Sequence, residues 1–236
     1  MPTLFRADHV FTLDLGDDEN RFSLDWLAKA NGLLDEVLAD PGAGVLVTRG
    51  QGKFYSNGLD LAWLMANGDK MGAYVERVHA LFARVLAFPM PTVAAVTGHA
   101  FGAGAMLAMA HDYRVMRTDR GFFCFPEVDI HIPFTPGMAA LIQAKLTPAA
   151  AVRSMTTGQR FGGEPAQAIG LVDATAPDIE STVSAACDLV AGLAGKDRTT
   201  MRAIKSTMYG PALAALANAD AIGGSGLTGS AGGAGA

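Results

Sequence analysis

The run Pro91-Thr92-Val93-Ala94-Ala95-Val96-Thr97-Gly98-His99-Ala100-Phe101-Gly102-Ala103-Gly104-Ala105-Met106-Leu107 constrains this chain more than any other stretch. Thr92 to Thr97 has the composition of a buried strand, and a helix is expected from about Gly102. Between them, Gly98, Gly102 and Gly104 let the backbone turn and be approached closely. The first N–H groups of a helix lack intrahelical partners, so such a junction can present donors to an anion. A strand delivered through glycines into a helix is a unit of α/β folds.

The same alternation runs along the chain. Val10 to Leu15 reads as a strand closed by the turn Gly16-Asp17-Asp18. Ser23 suits the N-cap of a helix whose apolar residues Leu27, Ala30, Leu34, Val37 and Leu38 recur at helical spacing, with Pro41-Gly42 ending it. Gly44 to Thr48 is a short buried-type strand, and a second long helix covers roughly Met71 to Ala87, before Pro89 and Pro91. Tyr113 to Met116 and Phe122 to Phe125 are again strand-like. After about residue 135 the character changes. Thr135-Pro136, Thr147-Pro148 and Glu164-Pro165 each predict a helix start with proline in its first position. Ala-rich periodic segments continue to about Ile222, interrupted by strand-like Gly170 to Asp173. The expected domains are an α/β core over 1–134, a helical region over 135–222 that completes the core and oligomerises, and a disordered Gly/Ala/Ser tail over 223–236.

Bulk properties exclude some classes. The 236 residues carry a net charge of −5, with lysines and arginines scattered rather than gathered into the basic stripe that nucleic acid requires. Charges interrupt every long apolar stretch, so no membrane helix of about 20 residues can be drawn. Met1 to Arg6 lacks the apolar core of a secretory signal. Cys124 and Cys187 have no ligand-like spacing and read as reduced, buried thiols. These features predict a cytoplasmic enzyme without nucleic-acid or membrane partners. The five histidines show no metal-ligand spacing, and there is no Gly-x-Ser-x-Gly elbow for serine hydrolysis.

Two loops carry the candidate chemistry. The first is Gly52-Lys53-Phe54-Tyr55-Ser56-Asn57-Gly58-Leu59-Asp60-Leu61, which on composition alone is a strand-to-helix turn, with Gly58 supplying backbone freedom and Asp60 favouring a helix start. The second is the Gly98 to Gly104 run. A dinucleotide fingerprint would need a third glycine where Leu107 stands, and an acidic residue about 20 positions on where Gly121-Phe122-Phe123 lies. A nicotinamide-dependent dehydrogenase is therefore weakly supported. Two sets of free N–H groups converging from separate strand ends would instead make an oxyanion hole.

Order and spacing over most of residues 8–210 resemble the enoyl-CoA hydratase/isomerase (crotonase) family. Phe54 to Leu61 resembles its first oxyanion loop, Gly98 to Leu107 its second, Pro126-Glu127 its catalytic segment, and Ala168-Ile169-Gly170-Leu171-Val172-Asp173 the opening of its C-terminal part. Ala110-His111-Asp112-Tyr113-Arg114-Val115-Met116 and Glu127-Val128-Asp129-Ile130 lean towards the Δ3,Δ2-enoyl-CoA isomerases. The resemblance implies a crotonase-like ββα spiral core with a C-terminal helical region. Ala-rich helices that would otherwise expose apolar faces point to a homotrimer or a dimer of trimers.

By the same resemblance, Leu59 and Ala103 donate the oxyanion-hole N–H groups and Glu127 is the acid/base. Family hydratases commonly carry a carboxylate two positions after the last glycine, where this chain has Met106. One carboxylate favours moving a double bond of an acyl-CoA thioester over adding water to it. A useful base would have a raised pKa, with Phe125, Val128 and Met106 expected to desolvate it. Gly58, Asp60, Phe101, Met106, Trp63 and Phe134 are expected near the substrate, with Leu64 and Met138 as further acyl-pocket walls. Lys205, near Arg198 and Arg202, together with Arg21 and Lys53, is the expected source of cations for the coenzyme A phosphates. Coenzyme A is part of the substrate, so neither a separate cofactor nor a metal is expected. Asp129 and His131, the latter where the family usually has glycine, are the rival proton-transfer groups. The alternatives are an enoyl-CoA hydratase or another crotonase-type CoA-thioester enzyme, and a non-catalytic acyl-CoA-binding protein.

Overall fold

The structure is a computed structural model and describes residues 1–218. Six strands form one sheet: β1 (Thr3–Ala7), β2 (Val10–Asp14), β3 (Val45–Arg49), β5 (Thr92–Val96), β7 (Tyr113–Arg117) and β9 (Ala174–Ala176), side by side in that order. The β1–β2 pair is antiparallel and the remaining pairs are parallel. Strands β4 (Phe54–Ser56), β6 (His99–Phe101) and β8 (Phe123–Cys124) form a second, wholly parallel sheet. Consecutive strands therefore alternate between the sheets: β3 then β4, β5 then β6, β7 then β8. Each pair leads into helices, and the chain advances as a ββα spiral.

Side-chain alternation explains how both faces of the large sheet are covered. Leu46, Ala94, Val96 and Met116 enter the main core, while Val45, Val47, Val93, Ala95 and Val115 face the other way, onto Ala186 and Val190 of helix α8 (Ile179–Ala191). The main core also receives helix α1 (Leu24–Ala39), capped by the Ser23 hydroxyl accepting from Trp26 N–H at 3.1 Å. Helix α2 (Leu61–Ala66) is short, and α3 (Met71–Leu86) buries Tyr74, Val78, Phe82 and Val85 along one stripe. Helix α4 (Ala103–Ala110) is buried on every side. It fits because its residues are small at the tightest approach: a Cβ on Gly104 would lie 2.2 Å from the Ser56 carbonyl oxygen.

Thr135 and Thr147 cap α5 (Pro136–Lys145) and α6 (Pro148–Met155), each with proline in its first turn. The third predicted start is displaced: α7 (Gly163–Ala168) is capped by Gly162, and Pro165 is its third residue. The expected strand at Gly170 to Asp173 is also displaced. Gly170 has φ +79°, and Leu171 N–H donates to the Ala166 carbonyl at 2.9 Å. Those residues are consumed in stopping α7, and the strand begins after them at Ala174. Strand β1, as well as the three-residue β4 and β6, carries too little periodicity to be read from sequence. Helices α9 (Arg198–Met208) and α10 (Gly210–Ala217) follow, with α10 packed on α5 and α3. The expected tail at 223–236 lies outside the described residues. Among the described residues, no helix is long and apolar enough to cross a membrane.

His131 occupies a left-handed conformation, φ +56°, in the turn after β8. That backbone accounts for the glycine expected there, since an L-residue loses roughly 1–2 kcal/mol in it and histidine tolerates it better than a β-branched residue. In thermal unfolding, His131→Gly should match or exceed the parent, and His131→Val should fall below His131→Gly by at least about 1 kcal/mol. The reverse order would refute the conformational assignment.

Candidate active site

The small sheet assembles the site. Its three parallel strands point the same way, so the loops after β4, β6 and β8 emerge together at their carboxyl ends, the usual ligand-binding side of a parallel sheet. Those loops are Asn57 to Asp60, the Gly102–Ala103 start of α4, and Pro126-Glu127. They line a cavity of about 260 Å³ that includes Leu59, Gly102, Ala103 and Glu127, with Arg21 and Arg160 at its edge.

Backbone contact joins the first two loops. Gly58 has φ +77°, and a Cβ there would lie 2.8 to 3.0 Å from Phe101 O, Ala103 N and Gly104 N. Ser56 Oγ donates to the Asn20 carbonyl at 2.7 Å and accepts Gly58 N–H at 3.1 Å. Phe22 N–H donates to the Gly58 carbonyl at 2.8 Å. Among the described residues, neither Leu59 N–H nor Ala103 N–H donates a hydrogen bond, and both residues line the cavity. Ala103 is the first residue of α4, whose N-terminus carries partial positive charge.

Glu127 faces the same space. Its Oε1 lies 3.3 Å from where a Cβ on Gly102 would be. The residue is 8% exposed, and its buried Oε2 has no hydrogen-bond partner among the described residues. Burial pushes its pKa up to about 7. A desolvated carboxylate without a stabilising partner is a stronger proton acceptor than one in water. The Glu127 carbonyl is tied separately, accepting Ile132 N–H at 3.0 Å. Of the neighbours expected to dry it, Phe125 is fully buried, but Val128 is 47% exposed and contributes little.

Other expected residues divide sharply. Phe101 and Arg21 line the cavity, and Gly58 makes its floor possible. Phe134 lies beyond Glu127, in an adjoining pocket of about 490 Å³ shared with His131 and Met155. Met106 does not line the cavity: its N–H makes the first hydrogen bond of α4, to Gly102, and its side chain belongs to the main core. Asp60 is an N-cap, its carboxylate accepting Trp63 N–H at 3.1 Å, and Trp63 stacks on Tyr74. Neither lines the cavity. Leu64 is packed against the core and Met138 is buried within it. Lys205 is 4% exposed and donates to Asp112 at 2.6 Å and to the Met90 carbonyl at 2.7 Å, so its ammonium is already neutralised and enclosed. Arg198 is likewise held, by the Asp40 and Gly42 carbonyls. Arg202 and Lys53 are exposed.

Asp129 is exposed and its carboxylate crowds Gly158 rather than the cavity. His111 is fully buried between Thr48 and the Leu107 carbonyl, and burial drives its pKa to about 3. His99 sits among Phe54, Phe101 and Phe122. Arg160, Ile130 and Ile132 are cavity residues that the sequence did not point to, and Arg160 is the charged one. It lies 33 positions after Glu127, and only the path of the chain after α6 brings it over the Phe101 ring, at 5.5 Å.

One cavity is thus lined by two residues whose backbone N–H groups have no partner among the described residues and by one buried carboxylate. The family model for enoyl-CoA hydratase/isomerase matches residues 9–222, and the chain belongs to that family. Enoyl-CoA delta isomerase 3 of Arabidopsis thaliana is 41% identical over 204 residues, covering 83% of this chain and 86% of that protein. The peroxisomal enoyl-CoA delta isomerase 2 of the same plant is 41% identical over 192 residues, covering 78% and 80%. Among solved structures, an enoyl-CoA hydratase from Mycobacterium ulcerans superposes with a TM-score of 0.85 at 27% identity, covering 94% of this chain and 97% of that one. The fold is the crotonase-type spiral.

The raised Glu127 pKa links stability to pH. Between the ordinary carboxyl value of 4.5 and about 7, the folded chain keeps a proton that the unfolded chain has lost. The contribution is therefore full below 4.5 and disappears as pH rises through about 7. Relative to Glu127→Gln, the parent should lose up to about 3 kcal/mol of stability across that window in urea titrations. A pH-independent difference would show that Glu127 is solvated.

Proposed function

We propose that the chain isomerises 3-enoyl-CoA thioesters to the conjugated 2-enoyl-CoA, through a thioester enolate and with Glu127 as the one acid/base group. The observation that carries this reading is the solitary, unpartnered Glu127 carboxylate opposite the Leu59 and Ala103 N–H groups. Met106, at the position where family hydratases commonly have a second carboxylate, is apolar and 1% exposed. A water molecule would thus find one activating carboxylate in place of two. The names of the two Arabidopsis relatives agree with this choice.

The C2 hydrogens of a 3-enoyl thioester are acidified by the thioester and by the neighbouring double bond. Glu127 removes one as a proton, and the freed electron pair forms the C1–C2 double bond of a dienolate as the carbonyl pair moves onto the thioester oxygen, with the C3–C4 double bond still in place. Charge passes through the thioester oxygen, where Leu59 and Ala103 N–H groups stabilise the enolate. Losing one comparable donor costs roughly 2.7–4 kcal/mol in other enzymes. Protonated Glu127 then delivers its proton to C4: the carbonyl re-forms, the C1–C2 pair becomes the C2–C3 double bond, and the C3–C4 pair takes the proton. A pKa of about 7 suits both halves of this shuttle at neutral pH.

Arg160, which lines the cavity, and the exposed Lys53 are the available cations for a coenzyme A ester, in place of the enclosed Lys205 and of Arg21, which pairs with Glu19 and donates to the Leu59 carbonyl at 3.1 Å. Coenzyme A is the carrier of the substrate, and no separate cofactor enters the scheme. The proposed setting is the cytoplasm. The proposed assembly is a homotrimer or dimer of trimers, with residues 135–222 at the contacts. Ile204 and Met208 on α9 are 50% and 62% exposed, which favours a covered face. Light scattering at micromolar concentration should give a trimeric or hexameric mass, and a monomer would overturn the assembly.

Assays on one chain length should show 3-enoyl-CoA isomerisation faster than 2-enoyl-CoA hydration. Glu127→Gln should lower isomerisation by at least about 10²-fold, the low end for general acid–base groups, while still binding the product. Asp129→Asn should cost far less. Faster hydration in the parent, or a nearly active Glu127→Gln, contradicts the mechanism; binding without any turnover would favour an acyl-CoA-binding protein.

A further inference from the structure

Tyr74 is a fully buried hydroxyl outside the acid–base scheme. It lies on α3, is 1% exposed, and stacks on Trp63 with ring centroids 5.4 Å apart. Its hydroxyl donates to the Phe22 carbonyl at 2.8 Å and accepts Asp60 N–H at 2.9 Å. Those two partners bracket one peptide unit, the one between Gly58 and Leu59. Phe22 N–H holds the Gly58 carbonyl at 2.8 Å, and that carbonyl shares its peptide plane with Leu59 N–H.

The consequence is geometric. In a trans peptide the C=O and N–H point in opposite directions, and no cis peptide occurs among the described residues. Pulling the Gly58 carbonyl towards Phe22 N–H therefore turns Leu59 N–H away from Phe22, and Leu59 is a lining residue of the cavity. Phe22 can hold that carbonyl only if its own backbone is fixed, and Tyr74 fixes it from the carbonyl side. The same hydroxyl fixes Asp60, the residue just after Leu59. Gly58 and Leu59 lie in a short loop between β4 and α2, where a small rotation would redirect the donor. Burial pushes the Tyr74 pKa up to about 12, so the hydroxyl stays protonated and able to donate at any working pH.

We propose that Tyr74 is a positioning residue for the oxyanion hole: by joining Phe22 O to Asp60 N it sets the direction of Leu59 N–H, and it acts on the charged enolate more than on the neutral thioester. This rests on the reading of Leu59 and Ala103 as the oxyanion donors. The interaction matters most where charge develops, so its loss should appear in kcat before KM.

Tyr74→Phe keeps the ring and its stacking on Trp63 and removes only the hydroxyl. Isomerisation kcat should fall by about tenfold or more, short of the 10²–10³-fold typical of deleting a donor outright, with KM within about threefold of the parent. A direct readout uses two non-reacting esters. Acetoacetyl-CoA ionises to an enolate and butyryl-CoA does not. The parent should bind the enolate preferentially, and Tyr74→Phe should lose most of that preference while binding butyryl-CoA normally. Trp63→Leu, which loosens the packing but leaves the hydroxyl, should retain the preference. Equal weakening of both esters in Tyr74→Phe, an unchanged kcat, or loss of the preference in Trp63→Leu would each overturn the proposal. A parent without enolate preference would instead sink the oxyanion reading itself. If Tyr74→Phe does not fold, difluorotyrosine placed at position 74 preserves the shape and ionises at lower pH. The enolate preference should then fall as that hydroxyl loses the proton it donates, and a pH-independent preference would refute the role.

Discussion

The contact between Gly58 and the backbone of Phe101 to Gly104 is the constraint on which the rest of the structure depends. A Cβ at Gly58 would collide with three backbone atoms of the second loop, and one at Gly104 would collide with the Ser56 carbonyl. Two chain segments thus meet without side chains between them. Only such an approach brings a loop N–H and a helix-start N–H to the walls of one cavity. It also explains why α4 is so poor in large side chains where it passes β4. The spiral supplies the frame for this contact, since β4 and β6 are parallel neighbours and end at the same level.

A second consequence concerns charge. Once the two loops are closed together, the carboxylate on the third loop faces a cavity that is largely shut off from bulk solvent. Glu127 is left with one oxygen unpartnered and its pKa near neutrality. Burying a carboxylate without a partner is destabilising, and the surrounding fold has to supply the difference. Here it does so with two cores on either face of the large sheet, and with internal ties such as Arg114–Asp173, Asp112–Lys205 and His79 bonded to Thr135 Oγ1 and the Leu216 carbonyl. Among the described residues, the buried charges away from the cavity are paired, and the one in the cavity is not. That contrast separates structural from chemical use of buried polar groups in this chain.

The positions of Met106 and Lys205 show how the same helical sequence can be read correctly in kind and wrongly in place. Met106 is apolar where family hydratases commonly carry a carboxylate, but it serves the core rather than the cavity wall. Lys205 is expected from the sequence to offer its charge to the coenzyme A phosphates, yet α9 lays it against the Met90 carbonyl and Asp112, where it is neutralised. Arg160 went the other way, from an unremarked residue in an Ala-rich region to the edge of the site. Charge type is local information, whereas the partner of a charge depends on which elements come together.

Local chemistry determined a good deal of this protein. The caps at Ser23, Thr135 and Thr147, the glycine-bounded loops and the buried strand at Thr92 to Val96 were all legible, because each rests on the intrinsic geometry of a few neighbouring residues, whereas Pro126-Glu127 was legible only through the family resemblance. The three-residue strands β4 and β6 were not. Their backbones are extended only because each pairs with a strand more than 20 residues away. The displaced strand at Ala174 and the left-handed His131 likewise depend on the stop of α7 and on the turn around Glu127. Tertiary structure alone decided that Leu59 N–H, Ala103 N–H and Glu127 share one cavity, and that Phe22 and Tyr74 hold the first of these in place. Residue types and spacing specify donors and acceptors, but their direction is set by long-range backbone pairing that no local pattern encodes.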